Sequence, residues 1–481
     1  MNKNKNKYLL IALIAHVVAA IFSIGVHHAD ELFQIYEFAG YKLGLNTAAE
    51  LPWEFGEQMR SGWQPFIIFL FSKCCFAVGL YNPFIIAILV RLIQGLFSMY
   101  LSVKLLEIFE EKIEYGPLKK AFWFSGLLFW LLPYFQVRFS SESFGLDLLL
   151  IGFLLYFKMP LATWLRFLLI GFFFGTAFLV RFQLAFMVAG FGAWLLFVKR
   201  EQLKPILWLL FGFVFALGFG LLIDFWLYDQ WVLSWWKYLE QNLLHDKASQ
   251  FGTQPFYFFI TESFVQLAPP LSIILYAALF WFWIKRSKHW LTWITVPFIL
   301  LHFPIAHKET RFLMPVLPFL PIMAVLFYEA NVANTHTVWR FLRSHGFLKF
   351  SVFVNAVALI VVCLKPADPT TQSLNAIYDK VHGQKVVMYY DKNNPYEWGS
   401  LNYFRKRNLQ IVPRDCDTST LRYSALYFFK ENAPQNDTAA VNGHVFERIY
   451  CNYPEWIYAF DFNGWVDRSG KYSIYKEKVL R

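Results

Sequence analysis

The chain has 481 residues, 57% of them hydrophobic and 21% aromatic, and only 16% charged, where soluble domains are roughly a quarter charged. Its apolar residues fall in blocks of about 20, the length that crosses a bilayer as a helix, which excludes a soluble globular protein. The formal net charge of +11 calls for no nucleic acid, because much of it lies in short loops between apolar blocks, where orientation signals belong.

The basic head Asn2–Lys7 and the apolar run to Val26 predict a retained first helix that starts in the cytoplasm. A cleaved signal peptide would have a shorter core and a small-residue cleavage site. His27-His28-Ala29-Asp30-Glu31 follows at once. From 30 to 44, Asp30, Gln34, Glu37 and Tyr41 fall on one narrow helical stripe, with Leu32, Ile35, Ala39 and Leu43 on the other face. That pattern predicts an amphipathic helix at the membrane interface. Asp30 reads either as its N-cap or as a general base at the mouth of a membrane cavity, with Glu31 in reserve. The apolar stretch 65–80 is short and carries Lys73, which predicts an interfacial or re-entrant segment.

Spanning helices are predicted at 8–26, 83–106, 121–137, 143–157, 167–181, 184–198, 205–223, 263–284, 290–306, 311–329 and 347–364, about eleven in all. With the N-terminus inside, the inside loops carry Lys112, Lys119 and Lys120, then Lys158 and Arg166, then Lys199, Arg200 and Lys204, then Lys285, Arg286 and Lys288, and last Arg340, Arg343 and Lys349. Every one is basic, as the positive-inside rule asks. The opposite face then receives the loop 27–82, the turn 138–142, the turn at Arg181, the long loop 224–262, the loop 307–310 and everything after about 365.

Ionisable groups are costly near a bilayer, so a function is the default reading where they gather. Arg138 and Glu142, one helical turn apart, read as an intrahelical ion pair or as ligands. Arg181 with Gln183 reads as an anchor or a ligand, and Asp224 opens a loop rich in Trp and Tyr. His307-Lys308-Glu309-Thr310-Arg311 puts three potential cations and one carboxylate in five residues. Such a set can hold a phosphate, Arg as a fork and Lys as a point charge. A snorkelling anchor would need neither His307 nor Glu309. The histidines form no metal pair at helical spacing and the five cysteines no metal pattern, so neither metal nor cofactor is expected. Together the clusters predict one cavity on the extracytoplasmic face.

The tail changes character. Val386–Tyr390, Ile411–Pro413 and Leu426–Phe429 read as strands, and Leu401–Arg407 as a short helix. The expected organisation is a membrane domain over 1–364 and a small extracytoplasmic α/β domain over 365–481, where Cys416 and Cys451 could pair.

His28-Ala29-Asp30-Glu31-x-x-Gln34 resembles the His-Pro-Asp-Glu-x-x-Gln motif of glycosyltransferase family 22, the α-mannosyltransferases that use polyprenyl- or dolichyl-phosphate-mannose in GPI-anchor and lipid-linked oligosaccharide assembly. His307-Lys308-Glu309-x-Arg311-Phe312 resembles that family's second signature closely. Asp224 through Tyr228 and Trp231 to Asn242 is similar to a third segment. Ala29 replaces the family's proline, Glu142 stands where the family usually has asparagine, and Asp229-Gln230 replaces a glycine region. The resemblance runs from about 8 to 330.

It implies a GT-C fold with a catalytic first external loop, and inverting transfer from a polyprenyl-phosphate sugar to a glycan or glycolipid acceptor. On that pattern Asp30 takes the proton of the acceptor hydroxyl. Arg311, Lys308 and His307 hold the leaving phosphate, backed by Arg138 and Arg181, while Gln34, Glu309, Glu142 and Asp224 contact substrate. The working side would be the periplasm for a bacterial inner membrane, or the lumen for the endoplasmic reticulum. A lipid-phosphate transporter or flippase is the rival reading, and it would need polar residues at several depths. Mid-span polar residues are few (Arg91, Gln94 and Lys104, with Lys73 near the interface), which favours an enzyme. A nearer rival is another GT-C enzyme moving glucose or an aminosugar.

Overall fold

The computed structural model describes residues 3–397, 401–419, 421–431, 437–461, 464, 466 and 471–478. The chain forms two compact units: one of Met1–Ser23, Glu57–Ile67 and Ala87–Lys365, the other of Ile24–Gly56, Ile68–Ile86 and Pro366–Arg481. The interfacial stretch after the first helix thus shares a unit with the C-terminal part, a grouping that the division at 364/365 did not anticipate. The content is that of a polytopic helical membrane protein with a C-terminal sheet.

Among the described residues, six helices are individually long and apolar enough to cross a membrane, or seven if the bent pair Thr310–Val316 and Phe319–Ala330 counts as one. Trp63–Ala77, Leu271–Lys285 and Trp290–His302 are shorter apolar helices. Helices Thr163–Val180 and Leu203–Tyr228 approach closely because Gly171 and Gly212 meet the partner backbone, at Leu209 and Leu168 respectively, where any Cβ would collide. Small residues at such crossings are the usual device of helix packing in lipid.

Three expected spans are interrupted. The 121–137 span divides into Gly116–Leu128 and Leu131–Gln136. At the gap, Asn355 accepts from Trp130 N at 2.9 Å and donates to Leu128 O at 2.8 Å. Backbone groups buried in an apolar medium must find partners, and one amide side chain here supplies both. The 263–284 span divides into Phe258–Gln266 and Leu271–Lys285. The 311–329 span begins as a 3-10 turn over Thr310–Val316 that holds Pro315. Two further buried polar groups pair across helices: Asp147 accepts from Ser98 at 2.5 Å and Gln94 at 2.7 Å, and His16 Nε2 meets Gln136 Oε1 at 2.9 Å.

The second unit carries a six-stranded mixed sheet: β1 Val386–Tyr390, β2 Leu409–Pro413, β3 Ala425–Glu431, β4 Thr438–Val441, β5 His444–Cys451 and β6 Tyr472–Glu477. Its order is β2-β1-β3-β6-β5-β4, with β1 parallel to β2 and β3 and the other pairs antiparallel. The apolar run Leu426–Phe429 is buried throughout, as suits an inner strand with a parallel neighbour. Tyr389, Phe428, Phe446 and Tyr475 meet in its core. Helix Pro369–Lys380 starts at Asp368, whose carboxylate accepts from Thr370 N and Thr371 N. The helix expected over 401–407 is a single 3-10 turn, Asn402–Phe404. Cys416 and Cys451 are free thiols, not a disulfide.

Candidate active site

The two polar motifs lie in different units, and each is built separately. In the second unit the chain turns at Gly25 with φ +103°. A Cβ there would meet Asp368 at 3.0 Å, and Ala367 N donates to Ile24 O at 2.8 Å. Glu31 Oε1 then accepts from His27 N at 2.9 Å. Asp30 has helical backbone angles and makes no side-chain capping bond to its helix. Glu31, which is buried, thus ties the helix start back to the turn before it. Asp30 keeps a side chain 25% exposed, with its Oδ1 3.2 Å from His28 Nδ1. Of the two acids, Asp30 is the one a hydroxyl could reach.

Glu31–Glu37 is wound as a π-helix and continues as an α-helix over Phe38–Lys42. The wider turn, often found at functional sites, rotates the later residues away from the ideal stripe. Gln34 stays on the polar side and donates to Glu54 Oε2 at 2.7 Å. Glu37, expected on the same exposed stripe, is instead fully buried. Its carboxylate accepts from Asn46 Nδ2 at 2.8 Å, Asn402 N at 3.1 Å and Tyr403 N at 3.1 Å. Burial pushes this carboxyl up to about 8, against the pull of those donors. Spacing alone could not have marked Glu37, because two of its three partners lie more than 360 residues downstream.

In the first unit, Ser140 caps helix Ser141–Lys158 and places Glu142 in its first turn, where the helix dipole favours a carboxylate. Arg138 precedes this helix, so the intrahelical pair expected for Arg138 and Glu142 does not form as such. Arg138 donates to Ser23 O at 2.8 Å and Ser23 Oγ at 2.6 Å, and its guanidinium lies 4.6 Å from the Tyr134 ring centre. Glu142 Oε1 instead meets Arg181 Nη1 at 3.2 Å and Arg311 Nη1 at 3.4 Å.

Arg311 extends the network. Its Nε meets Glu309 Oε2 at 2.5 Å and its Nη2 meets Glu309 Oε1 at 3.2 Å. His307 Nε2 reaches Glu309 Oε1 at 2.9 Å, and His307 Nδ1 reaches Gly252 O at 3.1 Å. Both guanidiniums also lie over Phe312, Arg181 at 4.9 Å and Arg311 at 5.5 Å. Arg181, Arg311 and Glu142 are each under a tenth exposed. The second motif is therefore a preorganised ion network in which two guanidiniums face two carboxylates.

Lys308 is spent differently from the expectation. Its ammonium donates to Gln254 O at 2.8 Å and Ile305 O at 2.6 Å, tying down the preceding loop, and burial draws its pKa below the usual lysine range. Asp224 is likewise satisfied inside the fold, accepting from Gly62 N at 2.8 Å and Ser234 Oγ at 2.5 Å. Its geometry is that of a tie between chain segments. Among the described residues no group of three or more His, Cys, Asp or Glu could hold a metal ion.

Next to the ion network in sequence, Thr310 and Leu313 join Phe259, Leu275, Tyr276 and Trp283 in the wall of a cavity of about 240 Å³. The lining is almost wholly apolar. No polar motif pointed to it, since its walls come from six separate helical elements.

Comparison with known proteins follows the same lines. GPI alpha-1,2-mannosyltransferase 3 of Danio rerio is 26% identical over 339 residues, which is 67% of this chain and 58% of that protein. GPI mannosyltransferase 3 of Candida albicans is 27% identical over 298 residues, 61% of this chain and 58% of that protein. The chain thus spans less than two thirds of the length of these relatives. A crystal structure of ArnT from Cupriavidus metallidurans bound to undecaprenyl phosphate covers 98% of both chains at 12% identity, with a TM-score of 0.49. The model of the Alg9-like mannosyltransferase family matches residues 7–394, a stretch that takes in both polar motifs and most of the chain, and the protein belongs to that family.

Proposed function

We propose that the protein is an inverting, GT-C-type membrane glycosyltransferase that moves a hexose, mannose on the family's pattern, from a polyprenyl-phosphate sugar to a glycan or glycolipid hydroxyl on the extracytoplasmic face. The single observation that carries this reading is the ion network in which the buried Arg181 and Glu142 meet Arg311 and Glu309 of the family's second signature. Positioned cations of this kind stabilise a leaving phosphate as its charge develops. Further support comes from the apolar cavity beside Thr310, which suits a lipid tail, and from the basic loops expected on the opposite side.

In this mechanism Asp30 accepts the proton of the acceptor hydroxyl. That oxygen attacks C1 of the sugar, and the bond from C1 to the phosphate oxygen breaks with its electron pair leaving on the phosphate. Arg311 and Arg181 receive that charge, and His307 and Glu309 orient Arg311. A phosphate leaves readily, so general-base assistance and proximity supply most of the acceleration.

The test is mannose transfer by the full-length protein in nanodiscs, from a short-chain polyprenyl-phosphate-mannose into a lipid extract of host membranes. Transfer should fall to background in Asp30→Asn while the variant elutes as folded protein. Full transfer by that variant would remove Asp30 from the mechanism. Lipid translocation by the wild type with no sugar transfer would favour the transporter reading.

A further inference from the structure

The second unit holds an arrangement that the transfer mechanism does not use. Three chain segments meet at one buried acid. Glu37 comes from the helical stretch that begins at Asp30, Asn46 from the loop that follows, and Asn402 and Tyr403 from the C-terminal part. Asn46 Nδ2 also donates to Glu37 O at 3.1 Å, which closes the loop onto the helix. Asn402 Nδ2 adds a bond to Glu50 Oε1 at 3.2 Å.

Aromatic packing surrounds this junction. Tyr36 lies 5.3 Å from both Tyr403 and Phe404, and Phe404 lies 5.1 Å from Phe84. Tyr403 Oη meets Ser72 Oγ at 2.8 Å. Glu37, Tyr36, Ser72, Tyr403 and Phe404 are all buried.

Packing alone would not call for an acid here. Burying a carboxyl is costly unless it is hydrogen-bonded, and well-packed apolar groups often replace buried charged groups at no loss of stability. What the acid adds is direction. Two consecutive backbone N–H groups and one amide fix both its oxygens, and so fix the rotation and height of the helix that carries it. The π-wound segment between Asp30 and Glu37 is short, so a fixed Glu37 sets where Asp30 points.

We propose that Glu37 and the turn 401–404 form a clamp that positions Asp30, making Glu37 a positioning residue and the C-terminal part a structural component of the acid site. This rests on the reading of Asp30 as the base. It gives the tail, most of which lies beyond the family match at residue 394, a role in the same reaction.

The experiment uses the full-length protein in nanodiscs, with hydrogen exchange of the peptide spanning 30–42 and transfer from short-chain polyprenyl-phosphate-mannose as its two readouts. Glu37→Ala should speed exchange in 30–42 while leaving 163–228 unchanged. It should lower kcat by about 100-fold, the scale of a misplacement near 1 Å, with the KM for donor unchanged. Glu37→Gln, which keeps an acceptor for the two N–H groups, should recover most of kcat. If Glu37→Ala does not fold, Asn402→Pro serves instead. It deletes the backbone donor to Glu37 and the side-chain bond to Glu50, leaves every side chain of the aromatic junction in place, and should give the same pattern more weakly. Unchanged exchange in 30–42, or a loss of kcat that only follows the loss of folded protein, would overturn the clamp. Full transfer by Asp30→Asn would instead remove the role of Asp30, and the exchange arm would still judge the clamp on its own.

Discussion

The acidic and basic motifs differ in how they are held. Arg311 and Arg181 are buried and locked by carboxylates within a few ångströms. Asp30 is a quarter exposed, beside His28, on a helical stretch whose firm hold lies seven residues away at Glu37. The cations are preorganised by direct partners, the acid by a remote one. Such a division suits the chemistry. A group that stabilises charge should not reorganise during the step, whereas a base must stay open to the hydroxyl it deprotonates.

The comparison can be broken at several points. The largest effect belongs to Asp30→Asn, with transfer down by about 10²–10⁴-fold, the usual contribution of general acid–base catalysis, and thermal stability nearly unchanged. A variant that loses stability along with activity would mean Asp30 is structural. Next is Glu142→Ala, which leaves Arg181 and Arg311 facing each other inside the fold. Breaking a buried ion pair from one side costs about 3–5 kcal/mol, visible as a marked drop in melting temperature. An unchanged melting curve would show that the network is not load-sharing. Arg311→Ala should lower transfer at saturating donor by about 10–100-fold, from loss of charge-assisted hydrogen bonds of about 1.5–3 kcal/mol that strengthen as charge develops on the phosphate. A raised KM for donor with kcat unchanged would move Arg311 from the chemical step into ground-state binding. Glu31→Gln should keep transfer within about tenfold, since its bond from His27 N is a single hydrogen bond of about 1 kcal/mol that a Gln oxygen can also accept. A greater loss would make Glu31 the base.

The last test is a pH dependence of stability rather than of transfer. The folded Glu37 carboxyl is raised from 4.5 to about 8 by burial, so the folded state holds its proton more tightly than the unfolded chain does. The stability from this group is complete below about 4.5 and is lost as pH rises through about 8. The melting temperature should therefore decline between pH 6 and pH 9, and Glu37→Gln, which cannot ionise, should flatten that decline. An identical decline in the variant would assign the pH dependence to other groups.

Much of the candidate site was legible in residue types. Asp30 and the 307–311 cluster stood out because acids and cations are rare in apolar sequence, and the three β strands nearest the start of the sheet were visible as short apolar runs. What spacing could not show is which distant groups meet. Glu142 was paired with Arg138 by sequence distance, but the helix begins at Ser141, and the partners are Arg181 and Arg311. Lys308 looked like a phosphate ligand by charge alone, yet two carbonyls occupy its ammonium. Glu37 sat on the polar stripe of an ideal helix, while the actual π-wound turn and the downstream residues Asn402 and Tyr403 bury it. The break at 128–130 was invisible for the same reason, since its patch, Asn355, lies 225 residues away. The other two breaks hold Pro269-Pro270, Pro315 and Pro318, local helix breakers that a reading by hydropathy alone passes over.

That patch has a consequence for biosynthesis. Trp130 and Asn355 are 225 residues apart, so at roughly 5–20 residues per second the break at 128–130 is made tens of seconds before the amide that completes it. During that interval its exposed peptide groups must borrow partners, from water, lipid headgroups or the insertion machinery. The order of assembly is thereby constrained. The early hairpin waits for a late helix, and a nascent chain stalled before residue 355 would hold an incomplete segment that quality control can recognise.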